Sequence, residues 1–208
     1  MKRFLEYLEE SEKGSLHVFD VDDTLFHTNA QIHVKNKQGH TVQKLSNQEY
    51  NDHKLPAGHH YDYSEFRSAH KFAHESKPIP KMLDKMKAIH HNIMNKVGSK
   101  SKVIMNTARA DFDNKHKFLN AFKKHGVDVN NIHVHRAGNI PGNDLPAHKK
   151  TKIVADYLHK HPIHSVHMYD DSKTNLHHLL KMKDQHPNVS FHAWHVQHDG
   201  SVKKYKPE

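Results

Sequence analysis

The stretch "HVFDVDDTLFHT" at residues 17–28 sets three aspartates, Asp20, Asp22 and Asp23, into four positions directly behind an apolar run. The run itself, "SLHVFDV" (15–21), reads as a buried strand. Aspartate is depleted in strands and adjacent carboxylates repel one another, so the crowding demands a reason. Two carboxylates two residues apart on an extended chain point to opposite faces, and a sharp bend after the strand would bring both to one point.

Four more segments read as buried strands: "KVIMNTA" (102–108), "IHVHRA" (132–137), "SVHMYDD" (165–171) and "VSFHAWHV" (189–196). Helical patterns lie between them. Residues 79–97 place Ile79, Met82, Leu83, Met86, Ile89, Ile93 and Val97 on one face, with Gly98 as a stop. Residues 111–125 carry Phe112, Leu119 and Phe122 on one face before Gly126, and "KKTKIVADYLHKH" and "SKTNLHHLLKMKDQH" fill the remaining gaps. This alternation predicts an α/β fold: a Rossmann-like parallel sheet with helices on both faces, as one domain over residues 1–208. Ligands of such sheets bind beyond the carboxyl ends of the strands. Asp20, Asp22, Thr107, Asp170 and Asp171 all stand at such ends.

Residues 31–77 break the alternation. "QIHVKNKQGHTVQKL" reads as a β-hairpin turning near "KQGH", and the stretch after it, with Pro56 and Gly58, reads as loop. A long insertion just after the first strand predicts a small cap or lid. The N-terminal "MKRFLEYLEESEKG" reads as an acidic amphipathic helix rather than a signal peptide, because glutamates interrupt its apolar residues. The tail "HDGSVKKYKPE" reads as a turn and a frayed basic end.

With 208 residues the chain can bury a real core, and it has no apolar run near the ~18 residues of a membrane span. There is no cysteine, which excludes disulfides and thiolate metal sites and fits a cytoplasmic protein. The net charge of +9 is uneven: residues 1–30 carry 3 Lys/Arg against 7 Asp/Glu, the remainder 29 against 16. A basic body favours polyanions such as nucleic acid, or phosphorylated substrates, unless it is only a solvated lysine surface. The 26 histidines are scattered without ligand spacing and read as surface residues rather than a metal store.

The aspartates at the strand ends have a chemical reading. A divalent, oxygen-seeking ion offsets their repulsion, and Mg²⁺ suits one or two carboxylates together with waters and a substrate phosphate. Phosphate charge so neutralised lets one carboxylate attack phosphorus, and a second can protonate the leaving oxygen. The plainer reading is an Asp-rich turn, with Asp23 or Thr24 bonding local N–H groups and "DDS" at 170–172 capping a helix.

Taken together, four motifs resemble those of the haloacid dehalogenase (HAD) superfamily of phosphohydrolases. They are "DVDDT" (20–24), "VIMNTAR" (103–109), "HKKTKIV" (148–154) and "HMYDDSKTN" (167–175), in the expected order. The resemblance implies Asp20 as nucleophile and Mg²⁺ ligand, and Asp22 as general acid and base whose backbone carbonyl also faces the metal. Thr107 would bond a phosphoryl oxygen. Lys150 would pair with the nucleophile and the phosphate, with Lys149 and Lys152 as competitors. Asp170 and Asp171 would complete the metal site, in an order the sequence leaves open. Thr24, Arg109, Lys149 and Arg136 are expected near substrate, with helix capping as the other reading of Arg109. The set is also similar to a group of phage and bacterial HAD-like proteins that lends no substrate.

The expectation is a Mg²⁺-dependent phosphomonoester hydrolase acting on a phosphorylated small molecule. Nucleotides or nucleic-acid phosphate ends lead among the substrates, and no membrane is involved. Tyr50, Tyr61, Tyr63 and Phe66 are candidate base platforms, with Lys54 and Arg67 near phosphate, and the other reading packs these aromatics into the insert. The alternative in another class is a non-catalytic basic nucleic-acid-binding protein on the same scaffold.

Overall fold

The computed structural model describes residues 13–142 and 144–207. Most of the acidic helix expected over residues 1–14 lies outside the described residues. The chain runs through β1 (Gly14–Phe19), β2 (Phe26–His27), β3 (Ile32–Lys35), β4 (Thr41–Leu45), α1 (Asn47–Asp52), β5 (His60–Asp62), α2 (Ala69–Glu75), β6 (Lys77–Pro78) and α3 (Pro80–Asn95). It continues through β7 (Lys102–Thr107), α4 (Lys115–Lys123), β8 (His133–Arg136), α5 (Pro146–Lys160), β9 (Ile163–Asp170), α6 (Lys173–Lys181), β10 (Ser190–Val196) and β11 (Val202–Lys204).

Six strands form one sheet in the order β11-β10-β9-β1-β7-β8, parallel throughout except for the antiparallel pair β10/β11. Parallel neighbours need crossover connections, and α3, α4, α5 and α6 supply them. Successive residues of β1 bury on opposite faces. Leu16 and Val18 pack with Val154 and Tyr157 of α5 and with Leu176 and Leu179 of α6. Phe19 packs with Met82, Leu83 and Met86 of α3 and with Phe118 and Phe122 of α4. The fold is therefore α/β, a mostly parallel sheet flanked by helices on both faces.

Helix ends shift the expected faces. Proline stands at the first position of α3 and of α5, where its missing N–H costs nothing. Helix α3 stops at Asn95, so Val97, expected on its buried face, is fully exposed. The Asn114 side chain accepts from Lys117 N–H and starts α4 there, leaving Phe112 outside the helix. The buried face of α4 is Phe118, Ala121 and Phe122, with Leu119 only partly covered. No helix of the described residues is long and apolar enough to cross a membrane.

The insertion leaves and rejoins the body through a two-residue clasp, β2 against β6, which pairs Phe26 with Pro78. The expected hairpin is β3–β4, turning through Gly39 at φ +82°, a left-handed angle that glycine adopts without strain. The stretch that follows is not the expected loop. Ser46 and Glu49 form a reciprocal capping box that starts α1, the Glu49 carboxylate accepting from Ser46 N–H at 2.7 Å. Strand β5 adds to the hairpin, Tyr61 opposite Val34, and a 3₁₀ turn follows at Ser64–Arg67. Ala30, Ile32, Val34, Leu45 and Phe66, with Tyr50 and Tyr61 against them, make a core separate from those of the sheet.

Candidate functional site

Past β1 the chain bends hard. Leu25 and Phe26 N–H both donate to the Val21 carbonyl, at 2.9 and 3.0 Å, and Asp23 takes φ +55°, a left-handed angle that Asp tolerates better than most residues. The bend sends the carboxylates of Asp20 and Asp22 to different partners.

Asp20 joins Asp170 and Asp171 from the end of β9, and one carboxylate oxygen from each lies within 4.8 Å of the others. Lys150 enters this group from the second turn of α5, only 2 % exposed, and its Nζ donates to Asp20 at 2.6 Å and to Asp170 at 2.7 Å. The Asn106 amide on β7 donates to the Lys150 carbonyl at 3.1 Å and fixes that turn. Of the competing lysines, exposed Lys152 pairs with Asp144 at 2.6 Å. Half-buried Lys149 makes no side-chain hydrogen bond among the described residues. Lys150 is the lysine placed at the nucleophile candidate.

The two terminal aspartates of β9 differ. Asp170 accepts from Ser172 N–H at 2.9 Å, from the Asn175 amide at 2.9 and 3.0 Å, and from Lys150, so both its oxygens are engaged. The Asp171 carboxylate accepts no hydrogen bond among the described residues, which leaves it facing the group. Its backbone carbonyl accepts from His195 Nε2 at 3.0 Å, and His195 Nδ1 accepts from the Gln197 amide at 2.9 Å, which assigns the proton to Nε2.

Three carboxylates around one ammonium leave negative charge uncompensated. Burial pushes Asp20 up to about 8, with Lys150 opposing and Asp170 and Asp22 reinforcing. Burial, then Asp170 and Asp20, push Asp171 well above the usual carboxylate range. Burial also works against the Lys150 charge, but Asp170 and Asp20 outweigh it and hold the ammonium above its ordinary value.

Asp22 faces Arg109. Arg109 Nε and Nη2 close on its two oxygens at 2.8 and 2.6 Å, a bidentate pair. Arg109 Nη2 also donates to Thr28 at 3.1 Å and Nη1 to the Phe66 carbonyl at 2.7 Å, while Phe66 and Phe72 lie against the guanidinium. Arg109, expected to meet substrate or cap a helix, is 3 % exposed and instead ties Asp22 to the root of the insertion. Of the four aspartates expected at a metal, Asp20, Asp170 and Asp171 bring carboxylate oxygens together, while Asp22, expected there through its backbone carbonyl, turns its carboxylate to Arg109. Thr107, fully buried, accepts from Arg109 N–H at 3.2 Å and lies 3.5 Å from Asp22. Thr24 is also fully buried, and its hydroxyl has no partner among the described residues.

Arg136, expected near substrate, ends β8 beside Thr107 and forms an ion pair with Asp111. The turn after it holds the arginine segment in place. Gly138 N–H donates to the Arg109 carbonyl at 3.2 Å, and a Cβ there would lie 2.5 Å from the Ala108 oxygen. Only glycine permits that approach. The aromatics expected as a base platform belong to the insertion's own structure. Tyr50 and Tyr63 share a hydroxyl–hydroxyl bond of 2.8 Å, Tyr61 bonds His53 at 2.8 Å, and Phe66 covers Arg109.

Asn106, Asn175, His195 and Gln197 were not foreseen from the sequence. Asn175 had a signal, since it follows "DD" at a helix start. His195, one of 26 histidines, had none.

A groove of about 400 Å³ opens beside Asp171. Gln48 and Asp52 of α1 form one wall, one helical turn apart, and His195 to His198 form the other. Comparison with models of known protein families and with curated proteins gives no match. The geometry itself offers a buried carboxylate with one oxygen held by an ammonium, a second carboxylate held by an arginine, and a group of three carboxylates of which Asp171 also lines a groove.

Proposed function

We propose that this chain is a Mg²⁺-dependent phosphomonoester hydrolase of the HAD type, working through an aspartyl-phosphate on Asp20. The observation that carries the reading is Asp20 at its strand end, one oxygen on Lys150 at 2.6 Å, grouped with Asp170 and Asp171. The candidate ligand set is all oxygen and all carboxylate. That set fits Mg²⁺, with Asp171 as the most open ligand, Asp20 beside it and Asp170 fixed behind by Asn175 and Ser172. When bound, Mg²⁺ would supply charge neutralisation for the phosphate.

The chain's own residues supply the rest. Lys150 holds one Asp20 oxygen, so the other forms the bond to phosphorus while the ester oxygen departs. The Thr107 hydroxyl donates to a phosphoryl oxygen. Asp22 would take a proton from the water that then attacks phosphorus, which requires one of its two oxygens to come off Arg109. Inorganic phosphate leaves, Asp20 is restored, and the proton taken by Asp22 is the one the next leaving oxygen carries away.

The test is phosphate release from sugar phosphates, nucleoside monophosphates and 3′- or 5′-phosphorylated oligonucleotides, with Mg²⁺ and with EDTA, beside Asp20→Asn. The expected outcome is Mg²⁺-dependent release that falls at least about 10³-fold in the folded variant. Release that survives Asp20→Asn would remove the nucleophile.

A further inference from the structure

Nucleic acid is the partner that the chain's net charge of +9 suggests. The groove beside the site has the opposite character. It is lined by three carboxylates, Asp23, Asp52 and Asp171, against a single lysine, Lys173. Asp171 is spoken for by the metal site, and Asp23 accepts from the Asn47 amide at 3.0 Å. Asp52 remains, lining the groove from α1 with Gln48 one helical turn before it. A second phosphate entering here meets the Asp52 carboxylate and only one ammonium, that of Lys173, so the groove offers no cluster of cations to collect it.

The walls also lack a platform for a base. Single-strand binders stack bases on aromatic faces. Tyr50, Tyr61 and Tyr63 are not among the residues lining the groove; their hydroxyls are bonded to one another or to His53. The one ring exposed along the wall beyond His195 is His198, already paired with His27 at 4.3 Å. What the groove does present is hydrogen-bonding capacity: the amides of Gln48 and Gln197, the Asp52 carboxylate, the Lys173 ammonium and the hydroxyls of Ser172 and Thr174, with Val196 as the one aliphatic side chain.

We infer that the groove takes the leaving group, and that this leaving group is a small, hydroxyl-rich, uncharged one: the substrate is a polyol or sugar monophosphate, not a base-stacked nucleotide or a nucleic-acid end. Adjacent hydroxyls can donate to Asp52 and accept from Gln48, and an alcohol brings no second charge to the acidic wall. This inference rests on the phosphatase reading.

The experiment compares kcat/KM in Mg²⁺ for p-nitrophenyl phosphate, sorbitol 6-phosphate, glucose 6-phosphate, nucleoside monophosphates and a 5′-phosphorylated oligonucleotide, in the full chain and in Gln48→Ala and Asp52→Ala. The polyol or sugar ester is expected to exceed the oligonucleotide by at least about 10-fold. In each variant the ratio of kcat/KM for that ester to that for p-nitrophenyl phosphate is expected to fall about 10-fold, because a groove group loses its partner. Preference for the oligonucleotide or a nucleotide, or an unchanged ratio in both variants, overturns the inference. Asp20-dependent release from p-nitrophenyl phosphate with none from any polyol or sugar ester overturns it while leaving the phosphatase reading standing. The absence of Asp20-dependent release from every ester overturns both.

Discussion

The sheet buries polar groups at two levels, in opposite ways. Midway along it, β1, β9 and β10 lay like residues side by side in rows. Ser15, Ser165 and Ser190 are in register, then His17, His167 and His192, then Phe19, Tyr169 and Trp194. The histidines stack at 4.8 and 4.5 Å, and Trp194 Nε1–H points at His167 Nδ1 at 3.4 Å. Burial lowers His17 and His167 to about 4, so these two are held neutral. One residue past the aromatic row, the carboxyl groups of Asp20 and Asp170 share one buried ammonium, that of Lys150. Neutral stacking adds rigidity without reactivity; paired charges make chemistry possible but leave the site dependent on each partner.

Removing one partner from the charged level is the severest test of that contrast. Lys150→Met should destabilise the metal-free protein by about 3–5 kcal/mol, since Asp20 and Asp170 are left without their cation. Denaturant unfolding in EDTA measures this, and a loss well under 1 kcal/mol would mean that the pair is not compensating buried charge. Arg109→Met should cost somewhat less, about 3 kcal/mol, and should also loosen the insertion root through the lost Phe66 carbonyl bond. Proteolysis of residues 31–77 reports that second effect.

On β10, opposite Asp170, His195 holds the Asp171 backbone carbonyl. His195→Leu should weaken Mg²⁺ binding about 10-fold by calorimetry, and His195→Gln, which keeps an N–H donor, should recover most of it. Equal affinity in all three proteins would reduce His195 to packing.

The neutral level gives the smallest effect, and its sign follows from protonation. The unfolded chain takes up histidine protons near pH 6.5, while folded His17 and His167 resist them until about pH 4. Their contribution is therefore complete above pH 6.5 and declines as pH falls from there toward 4. Replacing His167 by Phe should flatten that part of the stability curve, and an unchanged slope would show that the row carries no proton linkage.

Much of the scaffold was legible in the amino-acid sequence. Apolar runs at strand length, alternating with helix-period segments, specified a covered parallel sheet, because only buried strands tolerate such runs. Asp20, Thr107, Asp170 and Asp171 were legible as polar residues ending those runs. The capping box "SNQE" at 46–49 carried a signal for α1 that the loop reading of that stretch passed over. Strand β5 was not legible, since three residues show no alternation and only pairing with β3 holds them.

Contacts across sequence separation were settled by the tertiary structure alone. Lys150 could be told from Lys149 and Lys152 only once α5 had a rotation against the sheet. Arg109 was claimed by Asp22, at a separation of 87 residues, because the strand order brings β7 beside β1. The histidine row exists only in the registers of β1, β9 and β10. Local sequence determines which residues sit at strand ends and which faces are apolar. Which charge meets which depends on strand order and helix rotation, and these are set by packing the whole core at once.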